Sequence, residues 1–131
     1  MTESVQDCRP RVLVAHQWVG PRRALAAYLA HLRPALAVAE VAPEDLGAAL
    51  GAYPPPIVLC DMPSAAVERL ALGWIAVAFD GPPGAVAGMG SCFRPMAGDE
   101  IEDILSTIDE LIAGTWIGEL HADGRSQAGL S

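Results

Sequence analysis

A regular alternation of short apolar runs with segments of helical period constrains this chain more than any other feature. Val12-Leu13-Val14-Ala15 and Ile57-Val58-Leu59-Cys60 are apolar runs without polar alternation. Such runs are typical of strands that are buried on both faces of a sheet. Between them, apolar side chains recur at helical spacing over residues 21–32, which predicts an amphipathic helix. The chain therefore has the pattern of an α/β domain.

The same alternation continues to residue 113. Further strands are predicted at 36–41, 74–79 and 91–93, and the first of these is placed at a sheet edge because it carries a glutamate. Helices are predicted at 44–53, at 64–72 with Ser64 as N-cap, and from residue 99 with Asp99 and Glu102 as a capping box. Residues 81–90 hold two prolines and four glycines. We therefore predict a loop there and a fourth helix that is missing or reduced.

Five buried strands that alternate with helices favour one fold class. We predict an α/β, flavodoxin-like, doubly wound sheet of five parallel strands in the order 2-1-3-4-5. The domain would span residues 11–114, after a polar leader at 1–10. A flexible tail would follow at 115–131, with Trp116 and Ile117 as the residues that would dock back onto the domain.

The charge and the cysteine spacing of the chain argue against several classes of function. The 131 residues carry 8 Lys+Arg against 16 Asp+Glu, a net charge of −8, so we expect no binding to nucleic acid or to a membrane. The polar start with Glu3 and a longest apolar stretch of only ten residues, 70–79, predict a cytoplasmic protein. Cys8, Cys60 and Cys92 are too widely spaced for a disulfide framework or a CxxC site.

Ligand sites in doubly wound sheets lie at the carboxyl ends of the strands. In this chain the predicted ends are His16-Gln17, Asp61-Met62, Asp80-Gly81 and Arg94-Pro95. A functional site is therefore expected where these four pairs meet.

With these strand ends, the chain resembles the receiver (CheY-like) domain of two-component response regulators over residues 11–113. The segment 57–63 is similar to the family's third strand with its phospho-acceptor aspartate, and Phe93-Arg94-Pro95-Met96 is similar to the lysine-proline step after strand five. The strand at 11–15 and the helix from residue 99 also stand where the family has them. The resemblance implies a two-component signalling function.

The resemblance also assigns the site residues. It implies that Asp61 stands at the phospho-acceptor position, and that His16 and Gln17 stand where the family holds Mg²⁺ with two carboxylates. Arg94 stands at the lysine position and Asp80 at the Ser/Thr position. Mg²⁺ prefers hard oxygen ligands, and arginine does not replace the compact ammonium of lysine. The chain therefore resembles a degenerate, atypical receiver.

The leading hypothesis is a non-enzymatic signalling domain that acts by protein–protein interaction, without Mg²⁺-dependent phosphorylation, cofactor or metal. Its partner would be a histidine kinase or an output protein, and a homodimer is a further possibility. Without a fourth helix, Val86, Met89 and Phe93 would form a partner or dimer surface.

Several alternatives remain open. Asp61 could still accept a phosphoryl group with Mg²⁺, with Arg94 and Asp80 as substitutes, or the domain could sense a small molecule with the 80–90 loop as pocket wall. Weaker possibilities are a soft-metal site of His16, Asp61 and Cys60, and a nucleophile at Ser64 or Cys60 with His16 and Asp80, which lacks an elbow motif.

Overall fold

The computed structural model describes residues 9–51, 54–77, 85–96, 98 and 100–117. Its strands are β1 (Arg11–Val14), β2 (Ala37–Glu40), β3 (Ile57–Cys60), β4 (Gly73–Val77), β5 (Ala85–Met89) and β6 (Cys92–Pro95). Its helices are α1 (Val19–Leu32), α2 (Leu46–Leu50), α3 (Ala65–Leu70) and α4 (Ile101–Ala113), and a 3-10 turn at Pro43–Asp45 leads into α2. No helix in these described ranges has both the length and the apolar character that crossing a bilayer requires.

The six strands form one mixed sheet in the order β2-β1-β3-β4-β5-β6. β2, β1, β3 and β4 are parallel neighbours, whereas β5 is antiparallel to both β4 and β6. The predicted flavodoxin-like sheet of five parallel strands in the order 2-1-3-4-5 is therefore wrong. The predicted place of β2 at a sheet edge is confirmed.

The error arises in the segment that was expected to be a loop. Residues 85–89 form β5, and what the sequence presents as strand five is β6, the sixth strand. β5 has the sequence AVAGM, and alanine and glycine are depleted in strands, so local propensity does not indicate one. Instead, β5 is stabilised by its pairing with β4 on one side and β6 on the other. Residues 78–84, with Asp80, lie outside the described residues.

Helices pack on both faces of the sheet. On one face, α1 and α4 form a core with alternate residues of β1, β3, β4 and β5, and Trp116 joins it after α4 ends. On the other face, α2 and α3 pack Leu50 and Val67 against Val58, Cys60 and Trp74. Ile117 is exposed, and residues 1–8 of the predicted leader and 118–131 of the predicted tail lie outside the described residues.

The helix ends follow capping chemistry. Ser64 caps α3 as predicted, because its Oγ accepts the N–H of Val67 at 3.2 Å. α4 begins with a capping box of Glu100 and Asp103. Of the predicted pair, Glu102 lies in the first turn of α4, and Asp99 lies outside the described residues. The predicted helix at 44–53 is shorter, since only Pro43–Asp45 and Leu46–Leu50 are helical among its described residues.

Candidate functional site

The loop after β1 is fixed by the buried ring of His16. Its Nδ1 accepts the backbone N–H of Trp18 at 3.2 Å, and its Nε2 lies 3.1 Å from the carbonyl oxygen of Val77 at the end of β4. Since Nδ1 accepts this hydrogen bond, Nε2–H is the group that donates to the carbonyl oxygen of Val77. His16 therefore ties β1 to β4 across the end of β3.

Arg22 holds the same loop from the side of α1. Its Nη1 donates to the carbonyl oxygen of His16 at 3.2 Å, and its Nε donates to Oε1 of Glu40 at 2.9 Å. Because Glu40 ends β2, this arginine joins the ends of β2 and β1. The carboxyl ends of β2, β1 and β4 are thus connected by side-chain hydrogen bonds.

Asp61 follows β3 directly and presents a partly exposed carboxylate at this edge of the sheet. Its Oδ1 accepts the backbone N–H of Gln17 at 2.9 Å and lies 3.6 Å from Nδ1 of His16. That nitrogen accepts the Trp18 N–H, so it does not donate to Asp61. Oδ2 accepts no hydrogen bond within the described part of the chain. Asp61 can therefore receive a donor or a cation from a ligand.

Arg94 does not join this site. It lies in β6, and the cross-strand register runs from Arg94 through Ala87 and Ile75 to Leu59 of β3. Three strand spacings separate β6 from β3, which is about 14 Å at ordinary sheet spacing. The insertion of β5 accounts for one of these spacings. Of the sequence-predicted residues, the structure brings together His16, Gln17 and Asp61.

The guanidinium of Arg94 has partners on the α4 side of the sheet. Its Nη2 lies 3.5 Å from Oε1 of Glu110, and its central carbon lies 5.4 Å from the ring centroid of Trp116. An arginine over an indole face is a favourable cation–π arrangement. Arg94 therefore holds the segment after α4 against the sheet.

The other predicted reactive groups, Cys60 and Ser64, lie in environments that give them structural roles. Burial, with the negative charge of Asp61, raises the pKa of Cys60 from 9.0 to about 12, against a smaller opposing effect of the Met62 backbone N–H. A thiol with this pKa stays protonated near neutral pH and is a poor nucleophile or metal ligand. The hydroxyl of Ser64 serves as the α3 cap. Within the described ranges, no group of three or more His, Cys, Asp or Glu side chains could hold a metal ion.

Two cavities open on either side of Asp61 and Met62. The first, of about 440 Å³, lies between the loops that follow β1, β2 and β3, and Gln17 lines it beside Asp61. The second, of about 390 Å³, lies over β4 to β6 next to α3 and is here termed the open groove. Its lining residues are Asp61, Met62, Pro63, Glu68, Trp74, Ala76, Ala85, Val86 and Phe93.

Trp74 and Glu68 line this groove and were not predicted from the sequence. The indole of Trp74 lies on Gly88, where a Cβ atom would overlap the ring, and its Nε1–H donates to the carbonyl oxygen of Gly90 at 3.1 Å. A glycine between apolar residues, as Gly88 between Ala87 and Met89, is the signal that could have indicated such a close approach. Met89, predicted for the same surface as Val86 and Phe93, packs instead against the core on the α4 side.

No family model, curated protein or solved structure matches this chain. None of these comparisons identifies a receiver domain.

Proposed function

We propose that this domain is a receiver-like signalling module that acts by binding other proteins and is not phosphorylated in a Mg²⁺-dependent reaction. The observation that carries the proposal is the use of the residues around Asp61. Both ring nitrogens of His16 form hydrogen bonds to backbone, and Gln17 gives its N–H to Asp61. These two positions hold the strand ends together rather than presenting carboxylates.

The position of Arg94 supports the same proposal. Phosphoryl transfer to a carboxylate requires positive charge close to the transferred group, because charge builds up between two anions. The guanidinium of Arg94 is engaged with Glu110 and Trp116, three strands away from Asp61. Asp61 therefore stands in a site without the cation that the resemblance would assign to it.

Intact-mass spectrometry after treatment with acetyl phosphate and Mg²⁺ tests the proposal. The wild-type protein should show no phosphoryl adduct. An adduct that requires Mg²⁺ and disappears in Asp61→Asn would overturn the proposal and favour the alternative of a phospho-accepting receiver. Asp61→Asn is the matched control because it replaces one carboxylate oxygen by an amide at nearly constant volume.

A Mg²⁺ titration of the wild type and of Gln17→Asp sharpens the test. Gln17 lines the cavity beside Asp61, so a carboxylate there would supply a second hard oxygen ligand. One charged ligand is worth about 1.5 kcal/mol or more, so Gln17→Asp should bind Mg²⁺ about tenfold more tightly than the wild type. Equal affinities would show that this edge of the sheet is not arranged as the proposal requires.

A further inference from the structure

The open groove combines exposed apolar side chains with a partly covered sheet face. Met62 is 79% exposed and Phe93 is 36% exposed, and they stand on opposite sides of the groove. Between them, the indole of Trp74 covers the backbone of β5 at Gly88. Sheets in α/β domains are ordinarily covered by helices on both faces. On this face, the described helices α2 and α3 pack beside β3 and β4, and among the described residues the part seen to lie over β5 is the Trp74 side chain.

The opposite face of the same strands shows what such a surface accommodates. There α4 packs Ile104, Ile108 and Leu111 into a core with Ala85 and Ala87 of β5. These helix residues recur at the spacing of one helical stripe. The small side chains of β5 therefore accept a helix on the α4 face, and on the groove face β5 presents Val86 and the Trp74 ring that lies on Gly88.

The charge of the groove selects among possible occupants. Among the described residues that line it, the ionisable ones are Asp61 and Glu68, and both are acidic. In a two-fold contact between copies of this chain, the same groove would face itself and bring these carboxylates together. Each copy also carries a net charge of −8. The charge therefore disfavours a second copy and favours a basic partner.

We infer that the open groove binds a basic amphipathic helix of a partner protein. Apolar side chains of that helix would pack on Trp74, Val86 and Phe93, and a lysine or arginine would reach Asp61 and Glu68 at the α3 side. This is helix-in-groove recognition, in which anchors at i, i+3 or i+4 and i+7 carry the contact. The inference rests on the proposed function, because it names the kind of partner through which the module would act.

Selection of phage-displayed random peptides on the purified full chain tests the inference, followed by calorimetric titration of the enriched peptides made synthetically. The enriched peptides should carry apolar residues at helical spacing together with lysine or arginine. Their affinity should fall about tenfold or more in Met62→Ala and in Phe93→Ala, since both truncate an apolar side chain that lines the groove. In Glu68→Gln it should fall about twofold to fivefold, as for a partly exposed ion pair.

Tyr28→Ala is the matched control. Tyr28 is 61% exposed on α1, so the same kind of truncation there lies away from the groove and should leave peptide affinity unchanged. Met62→Ala truncates a side chain that is already largely exposed, so it keeps the test valid if Phe93→Ala fails to fold. Circular dichroism and thermal unfolding verify the fold of each variant.

Three results would overturn the inference. These are the absence of enriched basic peptides, unchanged affinity in both groove variants, and a wild-type dimer in light scattering that Met62→Ala dissociates, which would make a second copy the occupant. The phosphorylation test stays independent. A Mg²⁺-dependent adduct on Asp61 would overturn the proposed function, whereas failed peptide binding without an adduct would overturn only the helix partner.

Discussion

In the parallel half of the sheet, β3 has helices on both faces. In the antiparallel half, the described residues place α4 on one face of β5 and the indole ring of Trp74 on the other. The ends of the parallel strands are tied together by His16 and Arg22, and they place Asp61 at a fixed edge. The antiparallel half carries Phe93 at the rim of the open groove. The parallel half thus fixes the residues around Asp61, and the antiparallel half contributes to the open groove.

This difference also explains why the residues of the receiver resemblance do not all meet. A parallel strand that followed β4 directly along the sheet would bring its carboxyl end next to that of β4. Here β5 returns antiparallel beside β4, and β6 pairs with β5 instead. Arg94 is displaced by one further strand and faces α4. One inserted strand is therefore enough to separate a motif that looks continuous in the sequence.

The largest effect is expected where α4 covers the antiparallel half. Ile108 is fully buried in α4 at 0% exposure, so Ile108→Ala should lower the free energy of unfolding by about 4 kcal/mol through lost burial and the cavity left behind. Ile112, in the same helix, is 36% exposed, and Ile112→Ala should cost less than about 1 kcal/mol. Urea unfolding measures both. Similar losses in the two variants would mean that α4 does not cover this face.

The next effect concerns the indole that replaces a helix on the other face. A Cβ atom at residue 88 would overlap the ring of Trp74, so Gly88→Ala should lower the free energy of unfolding by about 2 kcal/mol. The control is Gly20→Ala in α1, where a Cβ meets no atom within 4 Å. That change should stabilise the domain by up to about 1 kcal/mol. A harmless Gly88→Ala would contradict the position of the ring.

The smallest effect lies in the parallel half, at the start of α3. Ser64→Ala removes the Oγ that accepts the Val67 N–H and should lower the free energy of unfolding by about 1 kcal/mol. Ser106→Ala, at an exposed position within α4, should change it by no more than about 0.5 kcal/mol. Equal effects would show that the α3 cap contributes nothing specific to this half.

The two halves also differ in how far the sequence predicts them. β1 and β3 are continuous apolar runs, and their burial on both faces follows from that pattern. The stripe of α4 and the cap of α3 are likewise local signals. His16, Gln17 and Asp61 meet because two neighbouring parallel strands end at the same edge of the sheet.

β5 could not be predicted in the same way, because its stability depends on neighbours rather than on its own residues. Ala85, Ala87 and Gly88 have little intrinsic preference for a strand, and the prolines and glycines around them indicate a loop. Their small size is what allows α4 and the Trp74 ring to pack against them. The place of Arg94 follows from β5, so it was beyond prediction for the same reason.

Cross-strand nuclear Overhauser effects test the central claim, the insertion of β5 between β4 and β6, most directly. Ile75 lies opposite Ala87, and Ala87 lies opposite Arg94, so backbone protons of each pair should give contacts typical of antiparallel neighbours. No backbone contact should join Ile75 to Arg94, since they are two strands apart. Direct contacts between β4 and β6 in a parallel pattern, with none to Ala87, would contradict the account and return Arg94 to the neighbourhood of Asp61.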